Sequence, residues 1–117
     1  MDKIIYHITS QNEWQQAQKA GSYSAASLAT EGFIHCSTRA QVPGVGERYY
    51  KGLNGLVLLC IETTRLKVEL RYEDSHHNGE FYPHIYGPLA LDAVARVIPF
   101  PARPDGLFDW PADGLTE

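Results

Sequence analysis

The length, composition and charge of the chain set the first limits on what it does. Its 117 residues, 44% of them apolar, are enough for one domain with a single core. The formal net charge of −4 and the lack of any Lys/Arg cluster exclude an extended nucleic-acid surface as the main function, because phosphate binding needs concentrated positive charge. A nucleotide-sized ligand held by a few arginines remains compatible with this charge. No stretch approaches the roughly 20 apolar residues of a membrane-spanning helix, so we expect no membrane contact.

The compartment is indicated by the N-terminus and the cysteines. The sequence passes directly from Met1 into a strand pattern, so we expect no signal peptide and a cytoplasmic location. Cys36 and Cys60 both lie in apolar runs, which is typical of reduced core thiols.

The first 21 residues predict a strand followed by a helix. Residues 3–8 have a strand pattern. Ser10 and Glu13 have the spacing of a capping box, which predicts a helix over residues 11–20. Gly21 then suits the left-handed position that ends a helix.

The rest of the chain predicts more strands than helices. A short helix is expected within residues 24–30, and a second helix within 38–50 that Pro43, Gly44 and Gly46 interrupt or delay. The remaining predicted strands are 32–37, 56–61 (central and fully buried), 67–73, 81–86 and 93–100. We therefore expect an α+β fold of about six strands with helices mainly in the N-terminal half. Residues 1–117 form one domain in this interpretation, and 101–117 form an irregular surface tail anchored by Phe108 and Trp110.

Three histidines in strand-like apolar segments form the strongest hint of a site: His7, His35 and His84. Burying an imidazole costs free energy unless it finds partners, and a shared polar pocket would supply them. The adjacent pair His76-His77 lies instead in the polar stretch 74–80, a predicted surface loop, where solvated side chains are expected.

The two-residue period of a strand sorts these side chains into faces. His35 and Ser37 share one face, and Ile34 and Cys36 share the other, so a core-facing Cys36 puts His35 at a cleft. For the same reason Cys36 is an unattractive nucleophile for activation by its neighbour His35.

Two further strands offer polar side chains on one face. In residues 67–73, Arg71 alternates into the same face as Glu69 and Glu73, and Tyr86 shares a face with His84. This face is either a solvated strand surface or a ligand-facing one, where Arg71 binds an anion and Glu73 polarises a hydroxyl or accepts a proton.

Common catalytic motifs are absent from the sequence. Gly44-Val45-Gly46 lacks the strand and the third glycine of a dinucleotide fingerprint, and no Gly-x-Ser-x-Gly elbow occurs. No set of ligands has the tight spacing of a metal motif, so no metal is expected, although His7, His35 and His84 would suit a metal-dependent hydrolase if they converged.

Several of these segments resemble a known family of small bacterial proteins. The segments are Ile5-Tyr6-His7-Ile8-Thr9, Gly32-Phe33-Ile34-His35-Cys36-Ser37, Leu70-Arg71-Tyr72-Glu73 and Pro83-His84-Ile85-Tyr86-Gly87-Pro88. They resemble the domain of unknown function 952 family, up to about Phe100. That family looks similar in fold to ADP-ribosyltransferases and RNA 2′-phosphotransferases, which share a split β-sandwich around an NAD-binding cleft. The resemblance therefore implies an ADP-ribosyltransferase-like split β-sandwich and NAD as a candidate cofactor.

The resemblance also implies roles for individual residues. Tyr6-His7-Ile8-Thr9 resembles the first-strand motif in which a histidine grips the ribose of NAD, so His7 and Thr9 are expected to contact the cofactor. The faces assigned by strand parity, rather than the resemblance, add Ser37, Arg71 and Tyr86 to the expected ligand-binding set. From the same faces and the strand histidines, His35, Glu73 and His84 are the expected catalytic residues.

The sequence also departs from the transferase pattern. Ile8 replaces the glycine that lets nicotinamide approach the backbone, and Ile34 stands where a stacking tyrosine is expected. The late strand offers His84 rather than a catalytic glutamate, and Glu73 and Glu80 are the candidate substitutes because they lie nearby in the sequence.

Three functions thus remain open from the sequence. The first is binding of NAD or a similar nucleotide-like anionic ligand, with glycosyl, ADP-ribosyl or phosphoryl transfer. The second is metal-dependent hydrolysis through His7, His35 and His84. The third is a non-catalytic binding module with structural histidines. The oligomeric state and the choice between enzyme and binder are not determined at this stage.

Overall fold

Strands make up most of the regular structure in residues 2–110, the part of the chain that the computed structural model describes. The eight strands of this part are β1 (Ile4–Ser10), β2 (Ser22–Tyr23), β3 (Ile34–His35), β4 (Leu56–Glu62), β5 (Glu69–Glu73), β6 (Tyr82–Tyr86), β7 (Leu89–Ala90) and β8 (Val94–Pro99). The three α-helices are α1 (Gln11–Ala20), α2 (Ala26–Glu31) and α3 (Val42–Tyr50), and short 3₁₀ turns cover Arg39–Gln41, Thr63–Arg65 and Leu91–Ala93. The chain is an α+β protein, and among its described residues no helix combines the length and apolarity that crossing a bilayer requires.

The strands form three antiparallel sheets. One has the order β1-β4-β8, one the order β3-β6-β5, and β2 pairs with β7 alone. The six predicted strands correspond to those of the two larger sheets. The β2–β7 pair was not predicted, because two-residue strands are too short to show a period.

Helix α1 begins and ends at the residues that the sequence predicted. The side chain of Ser10 accepts a hydrogen bond from the backbone N–H of Glu13 at 3.0 Å, and Gly21 ends the helix at φ 91°. The helix thereby turns Ala17 towards the core.

The core has two parts, one on each face of the β1-β4-β8 sheet. Val57, Leu59 and Ile61 of β4 face the β3-β6-β5 sheet, while Leu58 and Cys60 face the other way. This second part is covered by α3 and the segment after β8. Burial on both faces explains the continuous apolar run of β4, and both cysteines are buried free thiols.

The segment after β8 has no helix or strand up to residue 110 and packs on the core through Phe108 and Trp110, the two predicted anchors. Phe108 is 4% exposed and stacks on Phe100 with ring centroids 4.7 Å apart. Trp110 packs edge-on against Tyr6. Residues 111–117 lie outside the described part of the chain.

The chain that continues β3 joins the two larger sheets. Ile34 and His35 pair with β6, whereas Ser37 exchanges backbone hydrogen bonds of 2.7 and 2.8 Å with Tyr6 of β1. This junction brings β1 beside β3.

Candidate functional site

One face of the β3-β6-β5 sheet carries a row of polar side chains. His35 of β3 lies directly opposite His84 of β6, and His84 lies opposite Arg71 of β5. The period of two places Tyr86 beside His84 and Glu73 beside Arg71 on that face. The opposite face is apolar and lies in the core. The sheet therefore brings together the polar residues that the sequence grouped by parity.

Glu73 fixes the imidazole of His84. Nδ1 of His84 donates to Oε1 of Glu73 at 2.8 Å, and the Tyr86 hydroxyl donates to the same oxygen at 2.5 Å. These two hydrogen bonds, led by that from Tyr86, lower the pKa of Glu73. Burial lowers the pKa of His84, although its bond to Glu73 opposes this effect. A neutral His84 with its proton on Nδ1 has its lone pair on Nε2.

Glu31 holds His35 in a comparable way. Nε2 of His35 lies 2.6 Å from Oε2 of Glu31, at the end of α2, and both side chains are about half exposed. The rings of His35 and His84 have centroids 5.2 Å apart at an angle of 79°. Phe33 stacks on His84 at 4.1 Å and meets His35 edge-on at 4.8 Å. The two imidazoles are thus positioned by an aromatic ring as well as by carboxylates.

A cleft of about 490 Å³ opens where β1 and β3 meet. All three strand histidines line it, together with Glu31, Arg48, Tyr49, Tyr50, Tyr82, Ser75 and His76, among others. Arg48 is the single Lys or Arg, and Glu31 the single Asp or Glu, among the described residues of this lining. The volume lies in the range typical of small-molecule sites.

His7 lines the cleft but uses both ring nitrogens inside the protein. Its Nδ1 donates to the backbone carbonyl of His35 at 2.5 Å, and its Nε2 lies 2.8 Å from the Tyr23 hydroxyl. Burial lowers the pKa of His7 to about 4, so the ring is neutral and Nε2 accepts from Tyr23. The Thr9 hydroxyl, 3.1 Å from that of Tyr23, completes this chain of hydrogen bonds. In this structure, His7 and Thr9 link β1 to β2 and β3.

Three residues expected at the site lie on the same sheet face but outside the cleft lining: Glu73, Arg71 and Tyr86. Arg71 pairs with Glu69 through two contacts of 2.9 and 3.0 Å, and its guanidinium lies over the Tyr86 ring. The guanidinium of Arg71, which was expected to bind an anion, is therefore already paired with the carboxylate of Glu69.

The remaining predicted residues have other surroundings. Ser37 touches the cleft but is only 5% exposed because it pairs with β1. Glu80, the alternative carboxylate, accepts from the Gln41 amide at 3.1 Å, outside the lining. Burial raises the pKa of Cys36, which agrees with its interpretation as an inert core thiol.

The three strand histidines do not form a ligand set for a metal. Among residues 2–110, no group of three His, Cys, Asp or Glu side chains is arranged to hold an ion. His7 also lacks a free nitrogen, because both are hydrogen-bonded. The geometry of the described residues therefore gives no support to a metal-dependent hydrolase built on His7, His35 and His84.

A family model described as "Protein of unknown function (DUF952)" matches residues 8–97. The chain belongs to the DUF952 family. The crystal structure of CC0527 from Caulobacter crescentus is similar, with a TM-score of 0.83 and 33% identity over 91% of this chain and 93% of that chain. The solution NMR structure of CC0527 has a TM-score of 0.78 at 33% identity, covering 91% of each chain. Both were determined as structural genomics targets. No curated protein matches the chain at a significant level.

Two charged residues of the cleft in this DUF952 protein were missed at the sequence level. Glu31 follows the helix predicted within residues 24–30 and was given no role at the site, although it lies four residues before His35. Arg48 stands before Tyr49 and Tyr50 in α3, and a cation next to two tyrosines was the available signal.

A second hollow of about 340 Å³ adjoins the first. The two share His7, Ile8, His35 and Tyr50. Hydroxyl groups of Thr9, Ser10, Tyr23 and Ser27 belong to the second lining, and its described residues include no Lys or Arg. His35 therefore stands between a hollow that contains a cation and one that does not.

Proposed function

We propose that this DUF952 protein is a group-transfer enzyme that acts on a nucleotide-like anionic ligand through two imidazoles. One observation carries the proposal. A carboxylate holds each of His35 and His84 by one nitrogen, and the other nitrogen makes no hydrogen bond to a described residue. Carboxylate–imidazole pairs of this kind fix the ring and its tautomer for proton transfer.

His84 acts as the general base. Glu73 accepts the proton of Nδ1, so the lone pair on Nε2 is the one available to a ligand. The lowered pKa of His84 keeps the ring neutral near pH 7, which is the state that a base requires. Nε2 takes the proton of an attacking water or hydroxyl group as the new bond to phosphorus or to the sugar carbon forms.

His35 acts as the general acid. Glu31 accepts from Nε2 and fixes the ring, while Nδ1 donates a proton to the leaving oxygen as its bond breaks. The proton taken up by His84 and the proton given by His35 balance over one turnover. A subsequent proton exchange restores both rings: His35 is about half exposed to solvent, and His84 lines the cleft.

The likeness to ADP-ribosyltransferases is part of this proposal. It is supported by the position of the cleft at the junction of two antiparallel three-stranded sheets. NAD itself fits the lining poorly, because His7 has no free nitrogen for a ribose and Ile8 carries a side chain where nicotinamide needs space. The acid–base roles of His35 and His84 do not require NAD.

The test combines binding with turnover. Calorimetry with NAD, ADP-ribose, 2′-phosphorylated RNA and nucleoside 2′,3′-cyclic phosphates identifies the ligand class, and chromatography of the same mixtures detects a product. We expect binding and turnover of at least one ligand, with a loss of turnover of roughly 100-fold or more in His84→Gln and His35→Gln. The control His77→Asn changes an exposed loop histidine outside the lining, at φ 54°, which asparagine tolerates.

Two results would contradict the proposal. Binding without turnover in the wild type identifies a binding module rather than an enzyme. Absence of heat with every ligand removes the nucleotide-like class.

A further inference from the structure

We propose that Arg48 is the anion-binding residue of the cleft and that the ligand carries one negative charge near it, as a phosphodiester does, rather than the two charges of a pyrophosphate. This inference rests on the proposed function, because it names the class of substrate that the two imidazoles act on. The expected ligand is a cyclic nucleotide or another diester with a single phosphate, rather than a dinucleotide.

The lining of the cleft contains one cationic and one anionic side chain among its described residues. Its described residues hold one guanidinium, that of Arg48, and one carboxylate, that of Glu31, which is already bound to His35. A fork of N–H donors on one guanidinium matches the two free oxygens of one phosphate group. A second phosphate would find no second cation, and the net charge of −4 of the chain disfavours a polyanion further.

Arg48 is available to a ligand, unlike other arginines near the surface. Arg71 pairs with Glu69, Arg65 with Glu62, and Arg103 with two aspartates. Within residues 2–110, Arg48 forms no ion pair; its charged end is exposed and lies beside the hydroxyls of Tyr49 and Tyr82. Those hydroxyls can serve a phosphate as additional hydrogen-bond donors.

The backbone of α3 fixes where Arg48 stands. Gly46, two residues earlier, is buried against Phe108 and Phe100 so closely that a Cβ would lie 2.8 Å from Phe108 Cδ2. The helix is therefore pressed onto the core just before Arg48. The last turn then presents Arg48, Tyr49 and Tyr50 to the cleft.

The walls of the cleft suit the rest of such a ligand. Tyr49, Tyr50 and Tyr82 offer aromatic rings on which a base can stack, and stacking tolerates every base. The phosphate is then held by Arg48 at one side, and the bond that breaks lies beside the ring nitrogens of the two imidazoles that make no hydrogen bond to a described residue.

Calorimetry with a series of ligands that differ in charge tests this directly. The probes are adenosine, adenosine 3′,5′-cyclic monophosphate, ADP-ribose and NAD, with uridine and its cyclic monophosphate in parallel so that the base does not decide the result. We expect the cyclic monophosphates to bind at least about tenfold more tightly than the nucleosides and than either pyrophosphate ligand, which corresponds to one favourable charge-assisted contact.

Variants assign the effect to Arg48. Arg48→Gln is expected to lower the affinity for the cyclic monophosphates about tenfold, to the level of the nucleosides. Arg48→Lys is expected to restore part of this affinity, because lysine supplies the positive charge without the paired N–H donors of a guanidinium. Arg65→Gln is the matched control, since it removes the same charge at an exposed site away from the cleft. Its affinity should stay within about twofold of the wild type.

The outcomes separate this inference from the proposed function. Tighter binding of ADP-ribose or NAD than of the cyclic monophosphates, or an Arg48→Gln affinity equal to that of the wild type, overturns the inference while turnover that depends on His84 still stands. If no probe binds to the wild type, the inference is overturned; if 2′-phosphorylated RNA and the 2′,3′-cyclic phosphates also fail to bind, the proposed function is overturned as well.

Discussion

Oε1 of Glu73 lies 2.8 Å from Nδ1 of His84, and this contact determines which nitrogen of the imidazole can meet a ligand. The carboxylate itself does not line the cleft, whereas the imidazole does. Under the proposed function, Glu73 is therefore a positioning residue that acts through His84.

The first prediction concerns the pKa of His84 when Glu73 is changed. Because the hydrogen bond and the charge of Glu73 raise the pKa of His84 against the effect of burial, Glu73→Gln should lower it further. Histidine ¹H–¹⁵N NMR titrations of the wild type and the variant measure the change. Glu69→Gln is the control, because Glu69 lies on the same face of β5 but contacts Arg71 instead. A pKa that stays the same or rises in Glu73→Gln would show that the carboxylate does not govern His84.

The second prediction is a loss of stability in mild acid that originates at His7. The pKa of this group is lowered from 6.5 to about 4 in the folded protein, so the unfolded chain binds more protons between these values. The free energy of unfolding should consequently fall as the pH drops from 6.5 towards 4, by up to about 3 kcal/mol from His7 alone.

Urea unfolding at a series of pH values measures this dependence. His7→Gln should be less stable at pH 7 but should show a flatter dependence between pH 6.5 and 4, because the titrating group is gone. An equally steep dependence in His7→Gln would assign the acid sensitivity to another group, and burial at His84 acts in the same direction.

The third prediction concerns the hydroxyl of Tyr23. Tyr23→Phe leaves Nε2 of the buried His7 without its donor, so the free energy of unfolding should fall by about 1–3 kcal/mol. Denaturant unfolding at pH 7 measures the loss. Tyr49→Phe removes a hydroxyl from a side chain that is 55% exposed, and its effect should stay within about 0.5 kcal/mol. Equal effects of the two substitutions would argue against the hydrogen-bonded role of Tyr23.

Local patterns in the sequence were sufficient to predict most elements of the fold. The cap at Ser10, the stop at Gly21 and the alternation over residues 67–73 are each decided by neighbouring residues. Parity also separated the exposed His35 from the buried Cys36. These predictions agree with the structure because they depend only on the period of a helix or strand.

Features that depend on packing between distant segments could not be predicted in this way. Arg48 reaches the cleft because α3 packs across the β1-β4-β8 sheet. No residue pattern within α3 indicates how the helix is oriented on that sheet. Phe108 was predicted to anchor the C-terminal tail, but its contact with Gly46 was not predicted, because the two residues are far apart in the sequence. Similarly, the apolar sequence neighbours of His7 resemble those of a ligand-binding histidine. Its two ring nitrogens, however, are already hydrogen-bonded to Tyr23 and to the His35 carbonyl.

The fourth prediction tests the packing that positions Arg48. Gly46→Ala forces a Cβ to within 2.8 Å of Phe108, so the free energy of unfolding should fall by about 1–3 kcal/mol. Gly44→Ala lies in the same helix with no atom within 4 Å of the new Cβ, and it should be neutral or stabilising by up to about 1 kcal/mol. Thermal or urea unfolding compares the two. A stable Gly46→Ala and an unstable Gly44→Ala would contradict this packing of α3.

The most direct measurement of the central claim is a histidine ¹H–¹⁵N NMR titration of the wild type with adenosine 3′,5′-cyclic monophosphate at pH 7. We predict that free His84 is the neutral Nδ1–H tautomer and that its Nε2 resonance and those of His35 shift on binding, while those of the loop residue His77 do not. A free His84 with its proton on Nε2, or saturation without any shift at His35 and His84, would contradict the claim that these two imidazoles form the reactive site.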